Sequence, residues 1–303
     1  MMNIHSKRPD SMFAGISLKR RSREHLRSHP IQTAFIYISL TLCALLFLIP
    51  FYIIVRNALM TQLEVTSFDW HWWAKEPQWD NLNTLFNDLM APMGSGLLNS
   101  AIIATLTTIG QILFASMAAY ALARIPSRWS QPIFFLVLLT MMVPAAVTFI
   151  PQYIIVSEFG WVSTLQGIIV PQLFSSCGFA CFLFRQSYLN FPRELEDAGR
   201  IDGLGYFGIY WRLLLPNSIP ILVAVGVISF IGSWNSFHWP LVIGQDPSSW
   251  TVQVVLSSFI TAQTINIPEL FMGVAVAIVP LVILFFFLQR YIVAGVARSG
   301  IKG

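Results

Sequence analysis

PRELEDAGRIDGLGYFGIYWRLLLP, residues 192–216, is the stretch on which the fold turns. It is a charged and aromatic interruption between two runs, 163–184 and 217–243, that carry no Asp, Glu, Lys or Arg. Pro192 suits the first turn of a helix, where its fixed φ fits and its missing N–H is not needed. Glu194, Glu196 and Asp197 follow and put negative charge at the positive end of the helix dipole. Leu195, Ala198 and Gly199 share one face at spacings of three and four, and Gly203 is placed to end the helix in a left-handed turn. A second helical segment, about 206–215, carries Tyr206, Phe207, Ile209, Tyr210, Trp211, Leu213, Leu214 and Leu215 before Pro216. The expected object is a short helix, a glycine turn and an aromatic anchor lying on the membrane, which could be pushed as a rigid lever. A merely amphipathic connection resting on the head groups is the plainer alternative.

The flanking runs set the class of protein. Of 303 residues, 55% are hydrophobic and 11% charged, and mean hydropathy is +0.66. Soluble domains carry roughly 25% charged residues, so a water-facing surface cannot be covered here. A helix crossing the hydrocarbon needs about 20 mainly apolar residues. Six segments qualify, at about 33–55, 97–122, 131–153, 163–185, 217–243 and 270–289, and only Arg185, at an edge, is charged. The expected fold is an all-α polytopic membrane protein of six transmembrane helices, domain 33–303, behind a basic tail, 1–32.

Lys and Arg mark the cytoplasmic side. Sixteen of the 18 lie in the tail (Lys7, Arg8, Lys19, Arg20, Arg21, Arg23, Arg27), after span 2 (Arg124, Arg128), after span 4 (Arg185, Arg193, Arg200, Arg212) or at the C-terminus (Arg290, Arg298, Lys302). Both termini are therefore expected in the cytoplasm. The apolar run after the tail far exceeds the about 7–15 residues of a signal peptide core. The tail reads as a basic arm against anionic head groups. Dispersed over four segments, the net charge of +4 does not point to nucleic acid. Cys43, Cys177 and Cys181 read as small packing residues, since no further ligands lie near them in sequence.

Two outer connections have content. The first, about 56–96, holds Trp70, Trp72, Trp73 and Trp79 among Glu64, Asp69, Glu76, Asp80 and Asp88. It reads as an aromatic belt with a short interfacial helix, or as a contact surface for an extracytoplasmic partner. The last carries Gly244, Gln245, Asp246, Pro247, Ser248, Ser249 and Trp250, a turn-rich string whose Trp is either an interfacial anchor or the tip of a finger. Within the spans, Asn99, Gln111, Gln152, Gln172, Asn235 and His238 read as helix-packing or cavity-lining groups. The densest cluster runs from Gly232 to Pro240, and helical spacing would group Gly232, Asn235, Ser236 and Trp239 on one side. Aromatic, amide and hydroxyl groups suit a sugar-like polyol, so Gly232, Trp234, Asn235, Ser236 and His238 are candidates for a solute pathway. Pro144, Pro151, Pro171, Pro240 and Pro280 are expected to interrupt spans.

The order Asp197, Ala198, Gly199, then Gly203, then Leu213, Leu215 and Pro216 resembles the EAA loop of ABC importer permeases. That pattern runs E-A-A, a glycine four residues on, and I-x-L-P. Asp for Glu and Gly for the second Ala are departures that keep charge and small size. Asn99-Ser100, AYALAR at 119–124, FLFRQ at 182–186 and GSWN at 232–235 look like the carbohydrate-uptake branch. They are similar to the second permease subunit of maltose and glycerol-3-phosphate importers, over about residues 33–303. The resemblance implies a type I ABC importer permease core in a bacterial or archaeal inner membrane. It implies partners: a second homologous permease, two ATPase subunits that bind ATP and Mg, an extracytoplasmic solute-binding protein, and a sugar or polyol. No cofactor is expected in this chain. By the same resemblance Glu194, Glu196, Asp197, Ala198, Gly199, Asp202, Gly203, Leu215 and Pro216 form the ATPase-coupling element, and the 244–250 turn enters the binding protein's cleft.

Two rival classes fit less well. An ion-coupled secondary carrier usually keeps ionisable groups in the membrane interior, and the six runs hold no carboxylate. A membrane enzyme needs a nucleophile–base or metal constellation, which a single intramembrane His238 does not make. The sequence also contains no G-x-x-x-x-G-K-[ST] phosphate loop.

Overall fold

The computed structural model describes residues 30–88, 91–260 and 266–299, and they are mostly helical. The basic residues of the tail and Lys302 lie outside the described residues. The chain divides into two units, 1–53 and 54–303. The first contributes most of α1 (Pro30–Ala58), an apolar helix that runs through Pro50 and meets its first charge at Arg56.

In the second unit, two short helices follow, α2 (Gln62–Thr66) and α3 (Asp80–Asn87). Thr61 and Glu64 start α2 with a reciprocal capping box. The Arg56 guanidinium lies 4.1 Å from the centre of the Trp70 ring. Next comes α4 (Met93–Arg124), against which α7 (Leu165–Ser175), α8 (Cys177–Leu189) and α11 (Ile219–Trp234) pack. Its buried stripe runs through Gly96, Ser100, Ala104, Thr107, Gln111, Ala115 and Ala119, while Leu98, Leu106, Ile109 and Phe114 face outward. Small residues inside and large apolar ones outside is the pattern of a helix packed in lipid, where close backbone approach replaces the hydrophobic drive.

Among the described residues, α1, α4 and α14 (Ile267–Ser299) are long and apolar enough to cross a membrane. Three bent pairs qualify jointly. The 131–153 run is α5 (Ser130–Met142) and α6 (Ala145–Glu158), bent by 96°. Pro144 causes this bend, because it forces Val143 out of the helical region. α7 and α8 bend by 42°, and α10 (Tyr206–Asn217) meets α11 at 79° between Pro216 and Pro220. Proline is thus a selective breaker here. Pro144 and Pro240 coincide with interruptions, whereas Pro151, Pro171 and Pro280 sit inside α6, α7 and α14, against expectation.

The cluster at 232–240 is not the continuous helical face that its spacing suggested. α11 stops at Trp234, and a separate helix, α12 (His238–Ile243), begins four residues later. Pro240 accounts for the gap, since it has no N–H for the Ser236 carbonyl and its ring would collide with it.

Candidate functional site

Three features hang on α4, from one end to the other. Arg124 and Asn99 are 25 residues apart on it, roughly 38 Å along the axis.

At the Arg124 end sits α9 (Arg193–Ile201), with Pro192 at its N-cap. Gly203 has φ +82°, and the Gly203 and Leu204 N–H groups bond the Arg200 and Gly199 carbonyls at 3.0 and 2.9 Å. That is a Schellman ending, and it needs a residue free to be left-handed. The buried residues of α9 are Glu196 and Gly199. Leu195, Ala198 and Asp197 face outward, so Leu195 and Ala198 do not share the Gly199 face in burial, as their spacing suggested. Glu196 Oε1 lies 3.1 Å from Arg124 Nε, with both side chains about 5–6% exposed. A Cβ on Gly199 would stand 2.7 Å from Leu213 Cδ1, so glycine lets α9 close on α10. Glu194, Asp202 and Pro216 are exposed, and Leu215 packs partly against the core.

α10 corrects the picture of an anchor lying only on the membrane. Ile209, Tyr210 and Leu214 are buried among Ala115, Ala119, Phe184 and Tyr188, while Tyr206, Phe207 and Trp211 remain exposed. The Tyr210 and Ser116 hydroxyls are 2.7 Å apart. Residues Tyr210–Leu214 form a π turn. At the break before α11, side chains satisfy two carbonyls of this turn: Asn217 Nδ2 donates to the Leu213 carbonyl and Ser218 Oγ to the Leu214 carbonyl, each at 2.7 Å.

At mid-length a cavity of about 790 Å³ opens between α4, α6, α7, α8, α11 and α12. Gly232, Asn235, Ser236 and His238 line it, as do Gln111, Gln152 and Gln172. Trp234 does not; it is buried against Phe230 in the cluster around Val252 and Leu256. Gln172 is the hub, a role its position in the sequence did not signal. Its side-chain carbonyl accepts from Ser233 Oγ and its amide donates to Ser236 Oγ, both at 2.9 Å, so it bridges the break after α11. The Trp239 indole N–H donates to the Gly167 carbonyl at 3.1 Å and fixes α12 to α7. Apart from His238, no ionisable side chain among the described residues lines the cavity.

At the Asn99 end, residues 244–250 fold into a compact loop around a 3-10 turn, Pro247–Ser249. Asn99 Nδ2 donates to the Ser248 and Trp250 carbonyls at 2.8 and 2.9 Å, and Ser100 Oγ accepts the Val252 N–H at 2.8 Å. Trp250 is not the tip. Its indole N–H donates to the Gly244 carbonyl at 2.9 Å, closing the loop, and Gln245, Asp246, Pro247 and Ser248 are exposed instead. Hydrogen bonds from the Ser248 hydroxyl and backbone N–H hold the Asp246 carboxyl below its ordinary value.

A neutral cavity in an apolar helical body, with a clamped helix at one end and a tethered loop at the other, defines a transport permease. Comparison with known proteins makes this specific. Residues 111–298 match the family described as binding-protein-dependent transport system inner membrane component, and the chain belongs to that family. It is 32% identical over 285 residues to the arabinooligosaccharides transport system permease protein AraQ of Bacillus subtilis, covering 91% of this chain and 99% of that one. It is 30% identical to the sn-glycerol-3-phosphate transport system permease protein UgpE of Yersinia pestis, over 88% and 96% of the two chains. The lactose transport system permease protein LacG of Rhizobium radiobacter is 31% identical over 73% of this chain and 79% of its own. The fold matches a chain of a bacterial ABC transporter involved in import of the acidic polysaccharide alginate, with a TM-score of 0.73 at 18% identity, over 87% of this chain and 98% of that one. The protein is an inner-membrane permease component of an ABC importer, and the ion-coupled carrier reading is not favoured. As in its family, a partner permease, an ATPase and a solute-binding protein complete the system.

Proposed function

We propose that the chain forms half of the pathway of an ATP-driven importer for an uncharged sugar or polyol in a bacterial or archaeal inner membrane. The carrying observation is the cavity, lined by Gln111, Gln152, Gln172, Asn235 and Ser236 with Phe149, Phe237 and Trp239, and by no Lys, Arg, Asp or Glu. Amides and hydroxyls match sugar hydroxyls and aromatic faces match sugar C–H surfaces, whereas a phosphorylated solute would lack a cation here. The names of two relatives, for arabino-oligosaccharides and lactose, support this choice, whereas a third is named for the anionic sn-glycerol-3-phosphate. In this reading six spans place both termini in the cytoplasm, with the 1–32 tail beside them. Two ATPase subunits bind ATP and Mg, and one seats the exposed face of α9, including Glu194, Asp197 and Ala198, together with Asp202 just after it. The 244–250 loop meets the loaded binding protein.

The test is uptake by the complete importer in liposomes. An uncharged oligosaccharide on its binding protein should enter with ATP inside, and Asn235→Ala with His238→Ala should alter rate or solute preference. Uptake driven by an ion gradient without ATP, or variants with unchanged rate and preference, would overturn the respective half of the proposal.

A further inference from the structure

We propose that Arg124 is a positioning residue for coupling, and that its buried pairing with Glu196 is the joint through which movement of α9 reaches α4 and α8. The inference rests on the coupling reading of 192–216.

Arg124 closes α4. Its Nε lies 3.1 Å from Glu196 Oε1 and donates to the Tyr188 carbonyl at 2.9 Å, and its Nη2 donates to the Phe191 carbonyl. One guanidinium therefore gathers the last turn of α4, the end of α8 and the middle of α9. A second ion pair, Arg200 with Asp197, is by contrast exposed and 3.8 Å long.

Stability alone does not explain this pair. Burying two charges costs a desolvation penalty that their attraction offsets only in part, and well-packed apolar pairs commonly replace such bridges without loss. What an apolar pair lacks is direction. The planar fork of Arg offers five donors at fixed angles, so one side chain can donate to the Tyr188 and Phe191 carbonyls while its charge lies against the Glu196 carboxylate. Lys, a point charge on a flexible stem, cannot reproduce that geometry. The inward contact of α9 is also narrow, since Glu196 and Gly199 are its buried residues. A force on the outer face of α9 is passed inward through Glu196, and Arg124 divides it between two helices of the cavity wall.

The experiment measures solute uptake and ATP hydrolysis together, in the complete importer in liposomes with loaded binding protein. Arg124→Met with Glu196→Leu removes both charges, so neither is left buried and unpaired, although the Tyr188 and Phe191 carbonyls lose their donor. Uptake per ATP hydrolysed should fall by about tenfold while ATP hydrolysis persists. Arg124→Lys should give an intermediate ratio. An unchanged ratio in the double variant overturns the proposal; if that variant does not assemble, an unchanged ratio in Arg124→Lys overturns it. Leu195→Asp with Ala198→Asp, on the exposed face of α9, tests the underlying reading. If these uncouple and the Arg124 variants do not, the joint alone is wrong; if they leave coupling intact, the coupling reading itself fails.

Discussion

The two loops that flank α11 and α12 are both tied to α4, by opposite chemistry. At the Arg124 end the tie is a buried ion pair plus a left-handed glycine, and the element held is a helix with a bare outer face. At the Asn99 end the tie is an amide donating to two carbonyls, and the element held is a compact turn with a polar tip. Charge-assisted bonds are shorter and roughly twice as strong as neutral ones. A joint that must carry load from a partner is therefore built with charge. A loop that only has to present a fixed shape is built with neutral bonds spread over several residues. The difference teaches that the shared spine does not imply a shared mechanical role.

Breaking the outer tie should have a larger effect than straining the inner glycine turn. Asn99→Ala leaves the carbonyls of Ser248 and Trp250 without their donor, at a cost of about 2 kcal/mol to loop order. Hydrogen exchange at residues 248–252 should rise, and stimulation of ATP hydrolysis by the loaded binding protein should fall. Protection at α9 should not change. A parallel loss at α9 would mean the two ends are one cooperative unit.

The inner turn offers a sharper, smaller test. At Gly203 a Cβ would meet nothing within 4 Å, so only φ opposes substitution. Gly203→Ala should destabilise the turn by about 1 kcal/mol and lower uptake per ATP. Gly203→Asn should lose less, because Asn tolerates the left-handed region despite its greater bulk. An Asn variant worse than Ala would mean that the space around Gly203 is filled by a partner in the assembled importer.

These contrasts show which features were legible in the chain. The helix at 193–201 and its glycine ending were, because dipole charges and a left-handed residue are local chemistry. Which face of that helix is buried was not, since it depends on Arg124, 72 positions before Glu196. Arg124 stood out as a marker of the cytoplasmic side and as the end of the AYALAR stretch, not as a partner of Glu196. The amides that line the cavity could be named from their apolar surroundings, but the bridging of Gln172 to Ser233 and Ser236 depends on how α7 meets the break after Trp234. That break was hidden because Pro240 acts four residues upstream of itself. Trp250 was misread as a tip for a similar reason, as only the folded loop brings its N–H to the Gly244 carbonyl.

The smallest predicted effect concerns acid and the outer loop. The exposed Asp246 carboxylate accepts the Ser248 N–H at 2.8 Å, and its hydrogen bonds with Ser248 lower its pKa from the ordinary 3.8. A lowered folded-state pKa means that the carboxylate's contribution is complete above the ordinary value. It is lost as pH falls through the folded value, because the proton then binds the disordered loop more tightly. Exchange protection of the Ser248 and Ser249 amides should therefore be flat from neutral pH to about pH 4 and decline only below it. Asp246→Asn keeps an acceptor oxygen at the cap but cannot titrate, so it should remove the acid decline with little change at neutral pH. The α9 joint contrasts with this, since its strength lies in a buried pair. A loss of loop protection at pH 6 in the native chain would show that some other group, and not the Asp246 cap, holds the tip.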